Sequence, residues 1–215
     1  MQGEIDAILF DNDGVLVDTE PLFLQASREL LATVSIEIEP DQYRDLSLRQ
    51  GRSIMDLVAA SGATPAAVEA LRERRNARYA ELIQQGVPVC DGVLELLERL
   101  HGALLMAIVT SSHRYHFELI HRQTGLLGYF ELCLTNGDYS RHKPHPEPYL
   151  KAAQRLGVEP RRCLVVEDSE RGLRAAVAAG MRCIVVPTEL TAASDFSAAE
   201  RVIWSLAELP PLLGV

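Results

Sequence analysis

A short apolar run that ends on two acidic residues constrains this chain more than any other feature. Residues 5–10 are almost continuously apolar, and Asp11 and Asp13 follow directly, with Gly14 after them. A run of this length is typical of a strand buried on both faces of a parallel sheet. Taken alone, residues 11–14 equally fit a tight turn or a hairpin. At the end of a strand in an open α/β sheet, the same carboxylates would lie at the ligand-binding edge.

Strand-like and helix-like segments alternate through the second half of the chain. Amphipathic stretches of helical period separate short apolar runs, which we predict to be strands, at residues 104–109, 130–134, 163–166, 182–186 and 202–204. Such alternation with short links indicates right-handed crossovers and a parallel sheet covered on both faces. The predicted fold class is therefore α/β, with a doubly wound, Rossmann-like parallel sheet.

A block of about 70 residues interrupts this alternation directly after the first strand. It has helical periodicity throughout, and we predict helices at residues 22–32, 41–46, 54–58 and 65–85. Asp18 or Thr19 is the expected N-cap of the first of them. The simplest architecture is a core of residues 1–16 and 89–215, with an inserted helical cap formed by residues 17–88. Hinges are expected near residues 15–17 and 85–89.

Composition narrows the possible partners. The formal net charge of −9 argues against nucleic acid and anionic membranes, which bind through cationic patches. The sequence has no apolar run long enough to span a bilayer and no basic segment before its first apolar run, so we expect a cytoplasmic protein. The four cysteines form no CxxC pair and are expected to be reduced and buried.

The ends of the predicted strands carry most of the polar residues that suggest chemistry. Asp11 and Asp13 follow the first strand, and Glu167 and Asp168 follow the fourth. Two like charges 4 Å apart repel by about 4 kcal/mol at an effective dielectric of 20. Lys143, predicted to lie at the start of a helix near the same edge, supplies one positive charge, which is too little. A divalent cation is the natural remedy, and an all-oxygen site suits Mg²⁺.

Four segments in this order resemble the motifs of the haloacid dehalogenase-like hydrolase superfamily. They are DNDGVL at residues 11–16, VTS at 109–111, KPHPEPY at 143–149 and VEDS at 166–169. The helical insert after the first segment is similar to the subgroup that contains β-phosphoglucomutase and small sugar-phosphate phosphatases. The resemblance covers the whole chain and implies a Rossmann-like core with a helical cap.

The resemblance implies a role for each matching residue. Asp11 would be the nucleophile that accepts the phosphoryl group, and Asp13 the general acid and base. Thr110, Ser111 and Lys143 would hold phosphate oxygens.

The resemblance also implies the ligands of the metal. Mg²⁺ would be bound by Asp11, the backbone carbonyl of Asp13 and Asp168, with Glu167 nearby or bound through water.

The helical cap is expected to select the substrate, because the core contacts only the phosphate. Arg49 and Arg52 lie in a predicted loop at residues 48–53, and in relatives the corresponding loop faces the core site. Either guanidinium could bind a carboxylate or a second phosphate. Arg114 follows the second motif closely and is a further candidate. A solvated surface position is the alternative for all three.

The expected activity is Mg²⁺-dependent hydrolysis of a small phosphate ester, such as a sugar or sugar-acid phosphate. Asp13 disfavours dehalogenation, since the family's dehalogenases lack an acid at that position. The lack of lysine between residues 16 and 89 disfavours the phosphonoacetaldehyde hydrolase branch. A hexose-phosphate mutase and a non-catalytic phosphate-binding module remain alternatives. We expect a monomer or a weak homodimer.

Overall fold

The computed structural model describes residues 5–213, so residues 1–4 and 214–215 of the predicted core lie outside the described part. The strands are β1 (Ala7–Phe10), β2 (Leu105–His113), β3 (Leu132–Asn136), β4 (Cys163–Glu167), β5 (Arg182–Val185) and β6 (Arg201–Val202). Within the described residues they form one sheet in the order β3-β2-β1-β4-β5-β6, and every neighbouring pair is parallel. The predicted α/β fold class is confirmed.

Helices form both the covering layers and the insert. Those between β1 and β2 are α1 (Glu20–Ala32), α2 (Pro40–Tyr43), α3 (Met55–Ala60), α4 (Pro65–Gln84) and α5 (Val93–Leu100). Those after β2 are α6 (Arg114–Thr124), α7 (Glu147–Leu156), α8 (Glu170–Ala178) and α9 (Leu209–Leu213). Between residues 5 and 213, none of the helices is both long and apolar enough to cross a bilayer.

Three local features differ from the predictions. Strand β2 does not end at residue 109 but continues to His113, because a register shift lets it remain beside β3 with His113 opposite Asn136. Residues 44–49 form a π-helix instead of an α-helix followed by a loop. A π-helix has backbone hydrogen bonds between residues five apart, and residue preferences do not distinguish it from an α-helix, whose bonded residues are four apart. Helix α9 was missed because it contains two prolines, which are tolerated in a first turn.

Each face of the sheet carries its own apolar core. Ile8 and Phe10 of β1 point to the side covered by α5, whereas Ala7 and Leu9 point to the side covered by α7 and α8. This alternation arises because successive side chains of a strand point to opposite faces of the sheet. Cys163 and Cys183 are buried as predicted, whereas Cys90 and Cys133 are half-buried. Burial on both faces explains why residues 7–10 are continuously apolar.

The insert packs on the core through a small cluster of its own. Tyr79, Leu82 and Ile83 of α4 contact Ile120 of α6. The two connecting segments lie side by side, since Asp18 N donates to Pro88 O at 2.9 Å. Both predicted hinges are thus at one place in the molecule. The exact division into core and helical cap stays a prediction.

Candidate active site

The strand register brings the predicted site residues to one level of the sheet edge. Phe10 of β1 is opposite Ile108 of β2 on one side and opposite Val166 of β4 on the other. The next residues, Asp11, Val109 and Glu167, therefore share a level. The carboxyl ends of parallel strands meet here, as the sequence predicts.

Lys143 bridges these three neighbouring strands. Its Nζ donates to Oδ1 of Asp11 at 2.6 Å, to the Val109 carbonyl at 2.8 Å and to Oε1 of Glu167 at 2.7 Å. The ammonium group is buried, with its side chain 2 % exposed. Helix α7 begins only at Glu147, so Lys143 lies in the preceding turn segment and not at the helix start as predicted. Three oxygen acceptors satisfy all three donors of the ammonium group.

Glu167 is the most fully satisfied carboxylate of the cluster. Besides Lys143, Tyr149 donates to Oε1 at 2.6 Å, and the Ser169 hydroxyl donates to Oε2 at 3.0 Å. Gly172 of α8 lies so close that a Cβ there would overlap the carboxylate. Burial raises the pKa of Glu167, but Lys143 and the hydrogen bonds outweigh it and leave the pKa lowered. Glu167 is therefore an ionised, rigidly held group.

Asp13 is held by hydroxyl groups. Thr19 donates to its Oδ1 at 2.5 Å, and Thr110 and Ser112 donate to its Oδ2 at 2.9 and 2.7 Å. Thr19 is the N-cap residue of α1, as predicted, but its hydroxyl makes no cap hydrogen bond and donates to Asp13 instead. Three donors, one at the start of α1 and two on β2, fix the orientation of the carboxylate.

Asp168 completes the acidic cluster. One carboxylate oxygen from each of Asp11, Glu167 and Asp168 lies within 4.8 Å of the other two. Gly14, with φ of +85°, brings the first loop against Asp168: a Cβ there would be 2.5 Å from Asp168 Oδ2. Position 14 thus requires glycine for two reasons: the positive φ, and the short distance between its backbone and Asp168.

The electrostatics of the cluster show an excess of negative charge. Burial raises the pKa of Asp11 to about 7, although Lys143 acts in the opposite direction. Burial, together with Glu167 and Asp11, also raises the pKa of Asp168 well above its usual range. Lys143 keeps a raised pKa, because Asp11 and Glu167 outweigh its burial. A group of oxygen donors with surplus negative charge fits a hard divalent cation such as Mg²⁺.

Comparison with known proteins shows to which family the chain belongs. Residues 8–186 match the haloacid dehalogenase-like hydrolase family. The chain belongs to that family. The family prediction made from the four motifs is confirmed, and with it the prediction of a hydrolase.

Individual relatives match most of the length of this hydrolase. It is 33% identical to Protein CbbY of Rhodobacter capsulatus, over 96% of this chain and 94% of the relative. It is 32% identical to fructose-1-phosphate phosphatase YqaB of Escherichia coli K12, over 83% of this chain and 95% of that protein. The crystal structure of a mutant CbbY from Rhodobacter sphaeroides in complex with xylulose-(1,5)bisphosphate superimposes with a TM-score of 0.83 at 28% identity, covering 95% of this chain and 96% of the other. The prediction of a phosphoric monoester hydrolase is thereby confirmed.

The hydroxyl groups in and next to the second motif of this hydrolase line the cavity or contact Asp13. Ser111 and Ser112 line a cavity of about 320 Å³ that contains Asp11, Asp13 and Lys143. Thr110 is fully buried, and its hydroxyl is engaged with Asp13. Its predicted contact with phosphate stays a prediction. Tyr139 fixes this segment by donating to the Thr110 carbonyl at 2.7 Å.

The predicted arginines occupy different surroundings. Arg52 lines the cavity and pairs with Asp56 at 3.1 Å. Arg49 ends the π-helix and lies 3.4 Å from both Asp45 and Glu170. Arg114 is 53% exposed and pairs with Asp138 at 2.6 Å. All three therefore already have a carboxylate partner, and their roles toward substrate stay predictions.

Sequence reasoning missed several groups that organise the site: Thr19, Ser112, Tyr149, Arg75 and the pair Asn12–His121. Ser112 is adjacent to the recognised motif, so its position after a strand end was a usable signal. Among the others, Asn12 and His121 meet across 109 residues of sequence, and Tyr149 reaches Glu167 across 18. Residue type and spacing do not encode such contacts.

Proposed function

We propose that this chain is a Mg²⁺-dependent phosphatase that hydrolyses small sugar or sugar-acid phosphates through an aspartyl phosphate. One observation carries the proposal. Asp11 and Asp13 share a cavity with Lys143, Ser111 and Asp168, so a nucleophile, an acid, a cation and a hydroxyl all face one volume. That volume of about 320 Å³ lies in the range of small-molecule sites.

The first half-reaction uses the two aspartates of the first motif. A carboxylate oxygen of Asp11 attacks phosphorus, and the bond from phosphorus to the ester oxygen breaks. Asp13 gives its proton to that oxygen, so the sugar leaves as a neutral alcohol. Lys143, which lies 2.6 Å from Asp11, holds the nucleophile and supplies positive charge beside the phosphoryl oxygens. A covalent route divides one difficult displacement into two easier ones.

The second half-reaction returns the enzyme to its starting state. Asp13, now a carboxylate, takes a proton from a water whose oxygen attacks the aspartyl phosphate. The bond between phosphorus and Asp11 breaks, and inorganic phosphate leaves. A positioned acid or base contributes about 10²- to 10⁴-fold to the rate. The hydroxyl groups around Asp13 keep its carboxylate pointed at one place through both steps.

Asp11, Asp168 and the Asp13 carbonyl would hold Mg²⁺, with Glu167 reaching it through water because both its oxygens already accept hydrogen bonds. When bound, the ion neutralises the charge on the phosphoryl oxygens and orients them. Ser111 and Thr110 are the proposed phosphate-binding hydroxyls. Of the three arginines predicted from the sequence, Arg52 lines the cavity and is the best placed to contact the sugar.

Release of inorganic phosphate from a panel of sugar and sugar-acid phosphates tests the proposal. We expect turnover with millimolar Mg²⁺ and a loss of at least 100-fold after chelation with EDTA. Binding of the same esters without any phosphate release would instead favour the non-catalytic phosphate-binding module.

A phosphorus NMR time course distinguishes hydrolysis from the mutase alternative. The substrate is glucose 1-phosphate with a trace of the 1,6-bisphosphate. We expect free phosphate and no isomerisation. Rapid formation of glucose 6-phosphate with little free phosphate would establish the mutase. The cytoplasmic location and the monomeric or weakly dimeric state stay predictions.

A further inference from the structure

Asn12 is a buried amide between the two aspartates of the first motif. Its side chain contacts His121 of α6, with 2.8 Å between Oδ1 and Nε2. Within residues 5–213 this is the only hydrogen bond of the side chain, because Nδ2 is buried without a partner. A buried donor without a partner costs about 1–3 kcal/mol. Stability alone therefore favours an apolar pair at these two positions, and the polar pair indicates a functional role.

His121 is held at both ring nitrogens. The Thr124 hydroxyl lies 2.9 Å from Nδ1. Burial lowers the pKa of His121 to about 4, so at neutral pH the imidazole is neutral and carries one N–H. With the Asn12 amide in this orientation, its Oδ1 only accepts, so Nε2 carries the proton and Thr124 donates to Nδ1. The hydrogen bond from His121 to Asn12 thus has one defined direction.

The two aspartates of the first motif are supported in different ways. Asp11 directly follows β1, where its backbone N donates to Val166 O at 2.9 Å and its carboxylate accepts from Lys143. The sheet and Lys143 therefore fix Asp11. Asp13 lies beyond the strand, and its backbone pairs with Val17 of the same loop. The position of Asp13 relative to Asp11 depends on how this loop is held.

Asn12 connects the loop to α6. Its backbone carbonyl accepts from Leu16 N at 2.9 Å and from Val17 N at 3.1 Å, and its side chain bonds to His121. Loss of the His121 contact would shift the loop, and Asp13 with it, relative to the hydroxyl groups on β2 that orient the Asp13 carboxylate. Asp11 would stay with the sheet. A misplacement of about 1 Å can reduce a rate about 10²-fold.

We propose that Asn12 and His121 form a positioning pair that places Asp13 for proton transfer to the leaving oxygen. This inference rests on the proposed phosphatase function and adds two residues to it. Neither residue lines the cavity, so both act through the loop and not on the substrate.

Two aryl esters of similar shape separate this role from a general loss of structure. Phenyl phosphate has a poor leaving group that gains from a proton, whereas para-nitrophenyl phosphate releases a stable anion and needs little help from an acid. For His121→Leu, kcat/KM should fall by about tenfold or more with phenyl phosphate and by about threefold or less with para-nitrophenyl phosphate. The readout is the ratio of the first kcat/KM to the second.

His121→Gln is the rescue variant, because the amide nitrogen of glutamine can donate to Asn12 from the position of Nε2. It should restore most of the wild-type ratio. Gln123→Leu is the matched control: Gln123 also donates a hydrogen bond from α6, but to the Ile83 carbonyl at 3.0 Å. This control should keep the wild-type ratio.

Thr124→Val is a milder variant that removes the hydroxyl beside Nδ1 with little change of shape. It should lower the ratio, but less than His121→Leu does. Thermal unfolding establishes which variants are folded. If His121→Leu does not fold, Thr124→Val decides the test, and a ratio equal to that of the wild type would then overturn the proposal.

Pre-steady-state kinetics supply a second readout. Asp13 also activates water in the second half-reaction, so a displaced Asp13 should let the aspartyl phosphate accumulate. Stopped-flow measurement of His121→Leu with para-nitrophenyl phosphate should therefore show a larger burst of nitrophenolate than the wild type gives.

Equal losses with both esters, or no loss with either, would overturn the positioning role and leave the phosphatase intact. Failure of His121→Gln to restore the ratio would do the same. Absence of phosphate release by the wild type from the aryl esters and the sugar phosphates alike would overturn the proposed function and this inference together.

Discussion

His121 Nε2 lies 2.8 Å from Oδ1 of Asn12, the residue between Asp11 and Asp13. Both side chains are buried, with His121 4% and Asn12 0% exposed. With Asn12 so oriented, Nε2 is the donor, and Nδ1 accepts from the Thr124 hydroxyl at 2.9 Å. A neutral imidazole from α6 therefore anchors the loop that carries both aspartates of the first motif.

This contact has a consequence for stability in acid. Burial lowers the pKa of His121 from 6.5 to about 4. Between about pH 4 and pH 6.5 the unfolded chain therefore binds more protons than the folded one. The contribution of neutral His121 to the free energy of unfolding is fully present above pH 6.5 and is lost as the pH falls toward 4. Asp11, with its raised pKa, acts in the opposite direction, since its protonation stabilises the folded state.

We predict that His121→Gln reduces the acid sensitivity of the protein. Between about pH 7.5 and about pH 5, the wild type should lose about 2 kcal/mol more free energy of unfolding than the variant. Urea unfolding at the two pH values measures this difference. His101→Gln is the control, because His101 is exposed and should follow the wild type. Equal pH dependence in all three proteins would contradict a neutral, buried His121.

The second prediction concerns the nucleophile. Asp11→Asn should lower kcat by at least about 10³-fold, because an amide oxygen attacks phosphorus poorly and cannot form the acyl phosphate intermediate. The fold should persist, since the side chain keeps its shape beside Lys143. Steady-state phosphate release and circular dichroism check both points. Asp18→Asn in the same segment, where the carboxylate is exposed, should remain active. Activity of Asp11→Asn within tenfold of the wild type would exclude Asp11 as the nucleophile.

The third prediction concerns Asp168 and the metal. Mg²⁺ at 100 times its Kd should stabilise the wild type by about 3 kcal/mol, seen as a rise in Tm. Asp168→Asn should abolish this rise. Without metal, the variant should be at least as stable as the wild type, because burial and Glu167 disfavour the charge of Asp168. Asp195→Asn is the control and should retain the metal response, because Asp195 is exposed and a hydrogen bond from Ser197 lowers the pKa of its carboxyl group. An undiminished metal response in Asp168→Asn would rule out its role as a ligand.

Most of the fold was predictable because its signals are local. Short apolar runs predicted the strands. Burial on both faces of the sheet explains why the run before Asp11 is continuously apolar. The alternation with helices indicated parallel pairing, and parallel pairing brings all strand ends to one edge. Asp11 and Glu167 were therefore predicted to converge without knowledge of the register.

The rest of the site depends on contacts that no local pattern specifies. Thr19 has the position of an N-cap, yet its hydroxyl oxygen accepts from no backbone N–H of α1 and instead donates to the half-buried carboxylate of Asp13. Tyr149 was part of a recognised motif, but its hydrogen bond to Glu167 spans 18 residues and depends on how α7 packs on the sheet. Arg75 belongs to an arginine-rich helix, and nothing in the sequence marks it as a buried residue.

The fourth prediction concerns Lys143, the cation shared by Asp11 and Glu167. Lys143→Met should cost about 3–5 kcal/mol of unfolding free energy without metal, because it leaves two buried carboxylates without a cation. Protonation of these groups relieves the repulsion, so the variant should gain stability relative to the wild type as the pH falls. Denaturant unfolding from neutral to acidic pH measures both effects. Lys151→Met replaces the only other lysine of the sequence and should cost less than about 1 kcal/mol.

The last prediction sets helix propensity against close packing at Gly172. Alanine is favoured over glycine inside a helix by about 1 kcal/mol, so propensity alone predicts that Gly172→Ala stabilises α8. The new Cβ would, however, overlap the carboxylate of Glu167, which Lys143 and Tyr149 hold in place. Moving that buried carboxylate breaks charge-assisted hydrogen bonds, each worth about 1.5–3 kcal/mol.

Close packing should prevail, and Gly172→Ala should be destabilised by at least about 2 kcal/mol and lose most of its activity. Denaturant unfolding and phosphate release measure the two effects. Gly128→Ala is the matched control, since the added Cβ meets nothing within 4 Å in the described structure and its φ is not positive. A Gly172→Ala variant as stable as Gly128→Ala would show that Glu167 yields to its neighbour, and that its position is not fixed by the contacts seen here.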